Sequence, residues 1–93
     1  MFVHSLTIHL FLPSRSLKGK RGIVKSILAR ARSEFNVSAA EVDLNDVHGE
    51  AVLGFACVNP ARAAGRHHLE RLEEWIAEER PDVEIAAAEI EER

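Results

Sequence analysis

One cysteine, Cys57, is all the thiol chemistry in 93 residues. It excludes an internal disulfide and fits a reducing, cytoplasmic setting. No apolar run approaches the roughly 20 residues that cross a bilayer. The start, Met1, Phe2, Val3 and His4, lacks the basic and then apolar pattern of a cleaved leader, so no membrane partner is expected. There is no low-complexity linker, and the length leaves room for one domain, 1–93, with one modest core. The composition, 46% hydrophobic and 29% charged, is that of an ordinary globule.

The most unusual lack is of negative charge at the front. Residues 1–33 carry seven basic residues and no acid, a formal charge of +7. The remaining residues carry −10, which leaves the modest net value of −3. Such a dipolar chain either presents a basic binding surface or neutralises one half of its fold with the other.

What is present reads as alternating strands and helices. Phe2, His4, Leu6, Ile8, Leu10 and Leu12 alternate with more polar residues, a half-buried strand with its even side inward. Pro13 and Ser14 end it, and Ser16 is a good N-cap. Leu17, Val24, Ile27, Leu28, Ala31 and Phe35 then fall within about 100° of one helical face. A second strand is expected from about Phe35 to Leu44, with Ser38, Ala40, Val42 and Leu44 inward. Asn45 to Gly49 is a turn, and Ala51 to Val58 is apolar enough for a central strand. Asn59 followed by Pro60 predicts the cap and first residue of a second helix, with Leu69, Leu72 and Ile76 as its stripe and Pro81 as its stop. Val83 to Ile90 supplies a last strand before an acidic, frayed end.

The order βαββαβ with right-handed crossovers gives an α+β, ferredoxin-like sandwich: a four-stranded antiparallel sheet with two helices on one face. The other face of that sheet has no cover within the chain. It is expected to present Val3, Phe11, Val37 and Ala39, and a partly apolar open face favours a partner, most simply a second copy in a homodimer.

The basic helix start needs its own account, because cations in a first turn oppose the helix macrodipole. Lys18, Arg21, Lys25 and Arg32 project within about 60° of one another beside the apolar stripe. Lys20 falls on the stripe itself and should snorkel toward the loop between the first strand and first helix. Arg15, Lys18, Lys20, Arg21 and Lys25, with backbone amides at the helix start, form a candidate anion or RNA-phosphate site. The competing reading pairs these cations with the chain's own acids, and it is the better one for Arg30 and Arg32.

The run Ser16, Leu17, Lys18, Lys20, Arg21, Lys25 and Ser26, followed by Phe35, Asn36, Val37, Ser38, Ala40, Glu41 and Val42, with Asp46, Leu53 and Gly54 beyond, resembles the bacterial YlxP-like family of small proteins of unknown function. The resemblance covers essentially the whole chain. It implies a ferredoxin-like fold, and the family's usual gene neighbours, translation initiation and ribosome maturation factors, imply a role near RNA or the ribosome. It brings no catalytic residues with it. Gly19 and Gly22 depart from the better-formed helix start that the resemblance implies.

Other chemistry is thinly supported. Leu53 to Val58 superficially matches the stacking motif of RNA-recognition sheets, but a leucine stands for its cation and Cys57 for its second ring. Acylphosphatases of similar fold hold a phosphoryl group with an arginine between first strand and first helix, and Arg15 lies there; Leu12, Pro13 and Ser14 lack the glycines of such a loop. His67 and His68 point apart on a helix, and His4 and His9 occupy opposite sides of a strand, so no metal is expected. Cys57 has no paired histidine within sequence reach and reads as a core thiol. Glu41 and Asp43 read as solvated carboxylates on an outer strand face. The expectation is a binding protein, not an enzyme, without a cofactor, contacting RNA phosphates through the basic helix start. The alternatives are an interaction module for protein or a small molecule on the sheet face, and an acylphosphatase-like hydrolase.

Overall fold

Alternation does produce the first strand. In the computed structural model, which describes residues 1–93, β1 spans Phe2–Phe11, and Leu6, Ile8 and Leu10 on its even side are wholly buried. The helix α1 covers Leu17–Phe35, followed by β2 Ser38–Asp43, β3 Glu50–Asn59, α2 Arg62–Glu79 and β4 Glu84–Glu92. All strand pairs are antiparallel, in the order β2-β3-β1-β4. This is the expected ferredoxin-like architecture. Both helices lie on the face where Ala51, Leu53 and Phe55 of β3 meet the even residues of β1. Val24, Ile27, Leu28 and Ala31 come from α1, and Leu69, Leu72 and Ile76 from α2. Each fully buried aliphatic side chain contributes about 1.5–3 kcal/mol. Phe35 closes the helix pair, tilted against Trp75 at 5.4 Å and His68 at 5.7 Å between ring centroids.

Element ends follow their caps. Ser16 Oγ accepts the Gly19 amide at 3.0 Å, as its position predicts. Gly19 suits this corner, because a Cβ there would lie 3.0 Å from Ser14 Oγ. Asn36 closes α1 in the left-handed region at φ 50°, so β2 begins at Ser38 and not near Phe35. The second helix starts two residues later than Asn59 and Pro60 suggest. Asn59 Oδ1 accepts the Ala61 amide in a bend, and the first turn of α2 has no side-chain cap. The acidic end is not frayed: β4 pairs with β1 as far as Glu92, and the Arg93 amide donates to Val3 O at 2.7 Å.

The inward set of β2 is shifted by one residue from expectation. Val37 is buried, Ala39 packs on the core and Glu41 turns inward, while Ser38, Ala40 and Val42 face outward. A one-residue slip exchanges the faces of a strand, and Lys20 supplies the reason here. Its side chain is 1% exposed, and its ammonium donates to Leu44 O at 2.5 Å and to Val47 O at 2.7 Å. Glu41 Oε2 stands 2.8 Å away, an ion pair without hydrogen-bond alignment. Lys20 therefore reaches the β2–β3 hairpin and not the loop before its own helix. Leu44 sits there at φ 58°, a strained conformation for a branched side chain, of order 1 kcal/mol.

A second close fit joins α2 to β1. Gly65 lies over the imidazole of His4, and a Cβ on it would come within 2.5 Å of Nδ1.

Lys20→Met should lower unfolding free energy by about 3 kcal/mol, since it leaves Glu41 and two carbonyls without their cation; urea titration followed by circular dichroism checks this. Gly65→Ala should cost about 1–3 kcal/mol in the same assay by overpacking. Gly22→Ala, where a Cβ meets nothing within 4 Å, should instead add roughly 0.5–1 kcal/mol.

Candidate functional site

The first two turns of α1 project outward from the β2 side of the sheet. Lys18, Arg21 and Lys25 recur at helical spacing on one exposed stripe, about 10 Å long from end to end, and Arg15 stands exposed in the bend just before it. The structure brings these four together and removes the fifth expected member, Lys20, into the interior.

Eight ion pairs occur in the molecule, and none involves Arg15, Lys18, Arg21 or Lys25. The cations beyond them behave otherwise. Arg30 lies between Glu34 at 3.6 Å and Glu79 at 3.5 Å and covers the Trp75 ring at 5.0 Å. Arg32 donates to Ala39 O at 2.6 Å, tying the end of α1 to β2. Structural duty for Arg30 and Arg32 is what the sequence suggests.

The loop beneath the stripe spends its own polar groups internally. The Leu12 amide donates to Gly49 O at 2.9 Å, the Ser16 amide to Ser14 Oγ at 3.3 Å, and Ser14 Oγ to Ser16 O at 2.7 Å. His48 Nδ1 meets Ser14 O at 3.0 Å and docks the hairpin tip on the loop. With the Gly19 amide taken by Ser16, fewer backbone donors remain at the helix start than the sequence suggests. Recognition at this face falls to side-chain charge.

Opposite charge collects at the far edge. Glu84, Glu89 and Glu91 lie on β4, whose only neighbour is β1, and hydrogen bonding to Glu91 holds the Glu89 carboxyl above its usual range. The sheet thus separates a basic end beside β2 from an acidic end at β4.

The remaining candidates sort by contact. His9 Nε2 pairs with Glu50 at 2.8 Å, and His68 Nε2 meets Phe35 O at the end of α1. Phe55 is buried and Phe2 lies under the Arg62 guanidinium at 4.9 Å, so neither ring is free as a stacking platform. Glu41 is the inward partner of Lys20 and not a solvated outer carboxylate. Cys57 does have a histidine opposite it: His4 is its cross-strand partner. Strand register, invisible in one sequence, creates that neighbour. The thiol lies 3.8 Å from Gly65 O, and burial pushes its pKa up, which keeps it a neutral thiol. No three of the His, Cys, Asp and Glu side chains converge on a common point for a metal.

Likeness to known proteins agrees with this frame. The model of the family described as "Protein of unknown function (DUF503)" matches residues 3–90. The uncharacterized protein YlxP of Bacillus subtilis (strain 168) is 36% identical over 61 residues, a segment that covers 66% of each chain. A de novo designed protein with a ferredoxin fold superposes with a TM-score of 0.60 at 15% identity, over 100% of this chain and 84% of the other. A putative chlorite dismutase gives 0.52 at 12% identity, over 99% of this chain and 44% of its own. At such identities the two structures speak for the fold alone. The match along nearly the full length, joined to the 36% identical relative, establishes that this chain belongs to the DUF503 family of proteins of unknown function.

Proposed function

We propose that the protein is a non-catalytic RNA-binding protein that contacts backbone phosphates through Arg15, Lys18, Arg21 and Lys25. One observation carries the reading: all four are exposed and without a carboxylate partner in a chain that holds fifteen acids. Unpaired cations on one helical face can each displace a condensed counterion from RNA, which gives affinity without base reading. A ribosomal or translation-associated RNA is the preferred class, on the strength of the family resemblance. The acidic β4 edge and the net charge of −3 work against indiscriminate binding, so the basic face must approach RNA with β4 turned away.

A second reading is favoured by the sheet's open face, where Phe11, Val42 and Val58 are exposed. A second copy is the simplest cover for it, and a homodimer would present two basic faces at once. This face differs from the one expected, since Val37 and Ala39 lie on the helix side and Ala40 and Val42 replace them.

Fluorescence anisotropy with structured ribosomal RNA fragments across a salt series tests the first reading. The expected log-log salt slope is about −2 to −4, reduced by roughly two to three in Lys18→Ala/Arg21→Ala/Lys25→Ala. No binding at low salt by the folded protein, or an unchanged slope in the triple variant, would end it. For the second, sedimentation equilibrium should show a dimer that Val42→Glu converts to monomer; a monomeric wild type at 100-fold the working concentration, on the order of 1 mM, rejects it.

A further inference from the structure

A cleft of about 440 Å³ opens at the start of α2, lined by His4, Arg62, Ala63, Arg66 and Glu92. The helix has 18 residues, and its first turn contains neither an acid nor a side-chain cap. Its unpaired amides and macrodipole favour an anion there. That alone would assign nothing, but His4 points the same way independently.

His4 is 2% exposed, seated under Gly65. Its Nδ1 has no hydrogen-bond partner, and its Nε2 faces Glu92 Oε1 at 3.9 Å, too far for a hydrogen bond. The Nδ1 edge is packed against Gly65, so the group a ligand can reach is Nε2, a ring nitrogen on a nearly buried side chain that faces the Glu92 side of the cleft without a hydrogen bond. The same Glu92 oxygen lies 2.7 Å from Arg62 Nε, and Arg62 is steadied by the Phe2 ring below it. Arg66, one turn further along α2, is exposed and has no carboxylate within 4.0 Å. Glu92 thus serves one of three converging donors, stops short of the second and does not engage the third.

A tetrahedral oxyanion offers more acceptors than a carboxylate and suits two guanidinium groups. We propose that this cleft binds a phosphate group, whether inorganic phosphate or a small phosphate ester, held by Arg62, Arg66 and His4 Nε2, and that the Glu92 carboxylate is its internal placeholder. Glu92 is free to swing aside without unzipping β4. Its side chain is 41% exposed, and the next residue is anchored by the Arg93 amide on Val3 O and by Arg93 Nε on Ser5 Oγ at 2.9 Å. The site shares no residue with the basic stripe of α1, so the two stand or fall separately.

The test is an NMR titration of the full chain with inorganic phosphate, and in a parallel arm with glycerol 3-phosphate, against sodium chloride at matched ionic strength. Saturable shifts are expected in the Arg62 to Gly65 amides and the His4 ring. Glu92→Gln removes the competing charge and should tighten binding about tenfold, while Arg66→Gln, at an exposed position, should weaken it about tenfold. Tighter binding of either probe assigns the source as ester or free ion. Linear shifts reproduced by chloride, or shifts confined to α1, overturn the site. Equal or weaker binding in Glu92→Gln overturns the placeholder role.

Discussion

A buried ammonium must be given acceptors, and most of this molecule's basic end follows from how Lys20 gets them. Two carbonyls of the β2–β3 hairpin and the inward-turned Glu41 surround it. To supply them the hairpin must fold back over the start of α1, Leu44 must adopt a left-handed backbone, and β2 must direct Val37, Ala39 and Glu41 inward. The same arrangement decides what remains outside. With Lys20 withdrawn and Arg32 bound to β2, the stripe of Lys18, Arg21 and Lys25 is what the helix offers to solvent.

Where the sequence is legible, a local rule and the tertiary structure agree. Period-two alternation from Phe2 to Leu12, the Ser16 cap, and the spacing of Leu69, Leu72 and Ile76 each specify their element without help from afar. Legibility fails where a distant partner decides. In β2 the two faces, Ser38/Ala40/Val42 and Val37/Ala39/Glu41, are nearly equal in apolar content, and a lysine one element earlier breaks the tie. Asn59 caps a bend and not a helix because its side chain reaches only as far as Ala61. The acidic end after Ile90 reads as frayed until β1 is seen to leave a free edge for it.

The candidate site was legible as a charge asymmetry and not as a set of side chains. Seven cations without an acid mark the region, yet each role depends on packing: Lys20 goes inward, Arg30 and Arg32 brace helix and strand, and Arg15, Lys18, Arg21 and Lys25 gain meaning from lacking carboxylate partners. The His4 cleft left no trace at all in the sequence. It exists because register sets His4 opposite Cys57 on one side and Glu92 on the other, and because Gly65 leaves space for a ring.

That register carries a kinetic consequence. β1 is an interior strand whose two neighbours are β3 and β4, so His4 pairs with residues more than fifty and more than eighty positions further along. No hairpin joins β1 to anything near it. Long loops must close before either ladder forms, and their entropy is spent before burial repays it. The two helices and the β2–β3 hairpin close only short loops, but both ladders of β1 wait on distant partners: the first strand made is the one that waits for the last.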